Sequence, residues 1–132
     1  MRRRLQRLQR VQGVQARIHA LAERRLAQIE QGRAAVERDR RDLVAALDDD
    51  AALQGLFVDA KAKRLIALAR KADELGVARD AQSRLLVAEG LKLKLTERRS
   101  VAVRKRARDA DKRKTFEQLL QVLRTAGEAS SR

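Results

Sequence analysis

The 132-residue chain contains no cysteine, no proline, one histidine and only two aromatic residues, Phe57 and Phe116. Without cysteine there is no disulfide framework, and a lone histidine leaves too few ligands for a zinc site. Without proline nothing forces a break in a long helix. The scarcity of aromatic and β-branched runs argues against a sheet. No apolar run approaches the roughly 18–20 residues that span a bilayer, so the chain is not read as integral to a membrane. The start, "MRRRLQRLQR", is basic but leads into no apolar stretch, so it does not read as a secretory signal. Its leucines join the periodicity that follows, and a cytoplasmic location is expected.

What the chain has in abundance is charge and helix formers. Charged residues make up 38% and apolar residues 44%, mostly Ala and Leu beside Arg, Lys, Gln and Glu. Apolar residues recur at three- and four-residue spacing through Leu8, Val11, Val14, Ile18, Leu21, Ala22, Leu26, Ile29, Val36, Leu43 and Leu47. Arg33 and Arg40 interrupt the stripe. A period near 3.5 sustained this long predicts a coiled-coil strand over residues 2–47. At "LDDDAALQGLF" the pattern stops. Three consecutive aspartates suit the positive end of a helix better than its middle, so a bend is expected over 48–55, with the aspartates capping a second helix. A calcium loop is the sharper reading, but it would need alternating ligands together with a glycine at its sixth position, and it is not expected here.

The second helix is expected over 56–126. Leu65, Leu68, Ala72 and Leu75 open its seam, Gln82, Leu86 and Leu93 resume it, and Val103, Ala107 and Ala110 extend it. Phe116, Leu119, Leu120 and Leu123 close it. Gly127 reads as a stop before a frayed tail, 127–132. Two helices joined by a tight bend fold back as an all-α antiparallel coiled-coil hairpin, a single domain, because pairing the two stripes removes both from water. Leu85, Leu91 and Leu95 are left over and available for contacts between hairpins.

Charge is distributed unevenly along the sequence. Residues 1–47 hold 12 basic and 5 acidic residues, 48–97 hold 9 of each, and 98–132 hold 11 and 4. A hairpin brings the two basic stretches together. Arg2, Arg3, Arg4, Arg7 and Arg10 then lie near Arg98 and Arg99, with "RKRARDADKRK" (104–114) just beyond. On a helical wheel, Val103, Ala107 and Ala110 form a narrow strip. Arg104, Arg108 and Lys112 line one flank of it, and Arg106 and Arg113 line the other. Arginine stems pack well beside such a strip.

Chemistry is not expected. His19 stands beside the seam with no nucleophile and carboxylate to complete a triad. The glycines are scattered singly, so no phosphate-cradling loop exists. Asp73 and Glu74 sit on an exposed face, and two helices alone offer no pocket. No cofactor is implied. Nucleic acid stays open as a partner, since a net charge of +14 binds phosphate in a salt-sensitive way. Against it, no Tyr or Trp is present for stacking, and neither Phe lies in a basic run. A basic zipper would need more heptads after residue 114 than the chain provides. A membrane-surface helix would need broader side chains than Val and Ala opposite its arginines.

A helical protein that docks into another protein is the remaining class. With its size, two long antiparallel helices and basic C-terminal helix "ERRSVAVRKRARDADKRKTFEQLL", the chain resembles the FliJ-type stalk proteins of flagellar and type III secretion export machines. The resemblance implies a stalk like the central coiled coil of rotary ATPases. Its terminus-bearing end would insert into the hexameric export ATPase and engage the cytoplasmic domain of the export gate, with export chaperones as further partners. It also implies a position at the secretion apparatus of the inner membrane. The positions matching the family's basic terminal helices are Arg2 to Arg10 and Arg98 to Lys114. A coiled-coil adaptor of an unrelated system is the other protein-binding reading.

Overall fold

The computed structural model describes residues 2–50 and 58–130. They form two α-helices, α1 over Arg2–Asp50 and α2 over Val58–Ser130, which pack against each other as an antiparallel hairpin. Of the expected bend, 48–55, residues 48–50 belong to α1, and 51–55 lie outside the described residues. Asp48 and Asp49 do not open the second helix, as the sequence suggested, but belong to the last turn of α1. There they face the negative end of the helix dipole, which costs roughly 0.3–1 kcal/mol per charge. The first turn of α2 has its own acidic residue, Asp59. At the other end, α2 runs through Gly127 to Ser130 rather than stopping. A lone glycine weakens a helix by about 1 kcal/mol without ending it, and no proline follows.

The hairpin divides into two compact units, Met1–Ala16 with Lys92–Arg132, and Arg17–Leu91. In the second unit, partner numbers fall along α2 as they rise along α1. His19 lies against Gly90, where an added Cβ would sit 3.5 Å from His19 Nε2. Gln82 Nε2 donates to the Ala22 carbonyl at 3.1 Å. Arg79 Nε lies 3.6 Å from Glu30 Oε1, and Gly32 meets Leu75. Ala22 and Val36 are buried, and Leu26, Ile29, Leu43, Leu65, Leu68, Leu75 and Leu86 are half-buried. Two helices leave each seam residue partly open to water, so each half-buried leucine contributes about 1 kcal/mol, below the value for full burial.

In the first unit the seam is more polar. Thr96 and Ser100 are buried beside Val103, and Gln15 and Thr96 meet across the helices. The Thr96 hydroxyl lies 2.9 Å from the Lys92 carbonyl, a back-bond within its own helix. The Ser100 hydroxyl, 2% exposed, has no hydrogen-bond partner.

These contacts correct the seam read from α1. Val11, Val14, Ile18 and Leu21 are 46%, 53%, 42% and 55% exposed, whereas Leu5, Leu8, Gln12, Gln15 and His19 are half-buried. The phase is set by Leu26, Ile29, Val36 and Leu43. Counting back from them in alternating threes and fours lands on 22, 19, 15, 12, 8 and 5, which keeps the expected Leu8 and Ala22 but replaces Val11, Val14 and Ile18 by their next neighbours.

Candidate functional site

The two units share the charge very unequally. Met1–Ala16 with Lys92–Arg132 holds 18 basic and 5 acidic residues, net +13, while Arg17–Leu91 holds 14 and 13, net +1. Nearly all the excess charge therefore belongs to the unit that carries both chain ends.

Within that unit, Arg4 and Arg7 of α1 and Arg99 and Arg106 of α2 surround a shallow hollow of about 430 Å³. Leu8, Val11, Ala102 and Val103 also line it. Four guanidinium groups thus stand around an apolar surface with no carboxylate among the lining side chains. Helical spacing produces the arrangement. Arg4 and Arg7 are separated by three residues on α1 and Arg99 and Arg106 by seven on α2, so each pair lies along one side of its helix. The sequence reading expected no pocket between two helices. Of its apolar lining, Leu8 is half-buried, Val103 is buried, and the small Ala102 is exposed.

Twelve basic residues were expected to form one docking end. Arg4, Arg7, Arg99 and Arg106 converge on the hollow. Arg2, Arg3, Arg10, Arg98, Arg104, Arg108, Lys112 and Arg113 are exposed and do not line it. Among the described residues none of the twelve forms an ion pair, whereas His19 pairs with Glu23, and Arg79 with Glu30 and Asp80. The start of α1 is also charged against its own dipole, with Arg2, Arg3 and Arg4 in a first turn that has no acidic residue. Such a turn is less stable by about 0.3–1 kcal/mol per charge than one with neutral side chains. Helix stability therefore does not explain these arginines.

Beyond the hollow, α2 outruns α1. Ala107 is half-buried, but Ala110 and every residue from Asp111 to Ser130 are exposed. Phe116, Leu119, Leu120 and Leu123, expected to close the intramolecular seam, are exposed and pack on no described part of α1. The segment from Ala107 to Ser130 is about 35 Å of helix at 1.5 Å per residue. Phe116, Leu120 and Leu123 recur at helical spacing, with Phe116 63% and Leu123 67% exposed.

The apolar lining of the hollow was missed in the sequence reading. Leu8 and Val103 were identified as seam residues, but Ala102 and the outward position of Val11 become evident only once the α1 phase is known. Among the described residues, no helix is long and apolar enough to cross a membrane, and no cluster of three acidic or histidine side chains is arranged to hold a metal ion. Compared with protein-family models, curated proteins and solved structures, the chain matches none.

Proposed function

We propose that the chain is a non-enzymatic stalk of an export apparatus. In this reading its basic end docks into an acidic, ring-shaped ATPase of six subunits, and the hairpin couples that ring to the export gate. The observation that carries the reading is the group of Arg4, Arg7, Arg99 and Arg106 around an apolar hollow, without carboxylate partners and on the same unit as the exposed end of α2. Unpaired guanidinium groups over apolar surface suit a partner that offers carboxylates around an apolar contact. The complementary potentials would steer the approach and raise the on-rate, and salt would lower it.

The mechanism is mechanical rather than chemical. One asymmetric hairpin end cannot contact six identical subunits equally, so binding favours some subunit conformations over others. The ring's nucleotide state in turn biases how the stalk sits, as reciprocal coupling requires. The expected result is saturable, salt-sensitive binding to a hexameric export ATPase and a change in its turnover. Both should fall at least tenfold in the Arg99→Glu/Arg106→Glu variant. Unaltered binding and turnover in that variant would reject the reading.

The exposed run Arg104–Lys114 supports a second reading, nucleic-acid binding. It requires retardation of any duplex at physiological salt, with log affinity falling steeply against log salt. That result without ATPase binding would replace the stalk reading. A chain that did neither would be an adaptor of another system.

A further inference from the structure

We infer that the exposed end of α2 is a second interaction surface, on which two copies of this chain pair antiparallel through Phe116, Leu120 and Leu123. These three recur in steps of four and three residues, the spacing a helix presents to one partner helix. Every described residue from Asp111 onwards is exposed, so the stripe serves no seam within the chain. Phe116, Leu120 and Leu123 are 63%, 46% and 67% exposed, and Leu119 beside them is 57% exposed. The next position of the same series is Gly127, and nothing lies within 4 Å of where its Cβ would stand. Three large side chains are thus followed by a notch.

The charges beside the stripe indicate what covers it. Glu117, Leu120 and Arg124 line one shallow hollow of about 480 Å³ with Lys114, Gln118 and Gln121. Glu117 and Arg124 therefore flank the stripe on the same side, and among the described residues neither has an ion-pair partner. A two-fold axis midway between Leu120 and Leu123 sets Leu120 of each copy against Leu123 of the other. The same register lays each Phe116 ring over the Gly127 notch of the other copy and brings each Glu117 beside the other copy's Arg124. A self-complementary patch of this kind is what an isologous dimer requires. A partner carrying one sign of charge would satisfy Glu117 or Arg124 and leave the other unpaired.

Charge also fixes the direction of pairing. Residues 104–114 hold seven basic and two acidic residues, whereas 115–130 hold one basic and two acidic. A parallel pair would lay the two basic runs side by side and set Arg113 against Arg113. The antiparallel pair overlaps residues 113–130, about 27 Å of helix at 1.5 Å per residue, and sends the basic runs to opposite ends. With three large side chains and one notch from each copy, the interface is at the small end of the range for specific contacts, so the dissociation constant is on the order of 100 μM. None of these residues lines the hollow of Arg4, Arg7, Arg99 and Arg106, so the docking reading and the pairing are tested by different variants and either can fail alone.

The test is sedimentation velocity on the full chain over a concentration series reaching about five times that dissociation constant. The wild type should shift from monomer towards dimer. Leu120→Lys should remain monomeric across the series while keeping its helical circular dichroism, since the side chain packs on nothing in the single chain, and so should Leu123→Lys. Glu117→Arg and Arg124→Glu should each weaken the dimer severalfold, and the double swap should restore it. Because the chain has no cysteine, cross-linking reads the direction. Under mild oxidation, a mixture of Arg113→Cys and Ser130→Cys chains should form the mixed disulfide dimer faster than Arg113→Cys links to itself. A wild type that stays monomeric, a dimer indifferent to Leu120→Lys, a double swap no better than its parents, or faster self-linking of Arg113→Cys would each overturn the proposal.

Discussion

The Ser100 hydroxyl is the clearest local defect in the hairpin. It is 2% exposed, has no hydrogen-bond partner and sits in a seam between Thr96 and Val103, both buried. Ser100→Ala removes that oxygen and nothing else. An unsatisfied buried hydroxyl costs about 1–3 kcal/mol in lost hydration, which the substitution recovers. Alanine adds up to about 0.5 kcal/mol of helix propensity over serine. The void left by one oxygen, on the order of 15 Å³, takes back about 0.4 kcal/mol. The net effect is stabilisation by about 0.6–3 kcal/mol, or roughly 2–12 °C in melting temperature for a chain of this size. Urea titration followed by far-ultraviolet circular dichroism measures it, and the slope should not change. A loss of stability greater than about 0.5 kcal/mol would mean that the hydroxyl has a partner, and that the register around it is different.

Other substitutions test other parts of the structure. Gly13 and Gly76 lie in helix interiors with nothing within 4 Å of an added Cβ. Gly13→Ala and Gly76→Ala should each stabilise the chain by about 0.8–1 kcal/mol, and the two gains should add, as a thermal melt of the double variant would show. Val36 is 4% exposed, so Val36→Ala should cost about 1–2.5 kcal/mol in the same urea titration. Removing residues 115–132 should leave the melting temperature within about 3 °C of the intact chain, since side chains that pack on nothing contribute little. If the Phe116 to Leu123 segment does hold the hairpin together, that truncation will lower the midpoint clearly.

Much of the hairpin could be read from residue spacing. Leu26, Ile29, Val36 and Leu43 on α1 and Leu65, Leu68, Ala72, Leu75, Leu86 and Leu93 on α2 are apolar residues at coiled-coil spacing, and the structure buries or half-buries each of them. The first third of α1 misled because two stripes overlap there. Val11, Val14, Ile18 and Leu21 have the right spacing in the wrong phase, and Leu21 beside Ala22 is where the two phases collide. The true seam runs through Gln12, Gln15 and His19, which no hydrophobicity pattern selects. It is held there because one helix keeps one phase, and because Gln15 and Thr96 satisfy each other across it. The apolar end of α2 misled for a simpler reason, that spacing does not reveal where the partner helix runs out. Segment charges pointed to one strongly basic end, but only the hollow lined by Leu8 and Val103 selects Arg4, Arg7, Arg99 and Arg106 from the twelve candidates.

The most direct measurement is a distance between spin labels on cysteines introduced at Arg4 and Arg106, in a chain that has no cysteine of its own. Antiparallel pairing around the hollow should give one narrow distribution below about 25 Å, allowing for two helix diameters of about 10 Å and the label arms. If α1 and α2 did not fold back, the same two positions would be on the order of 150 Å apart at helical rise, and no distance would register. That result would leave the basic stretches at opposite ends of the chain and remove the docking end altogether.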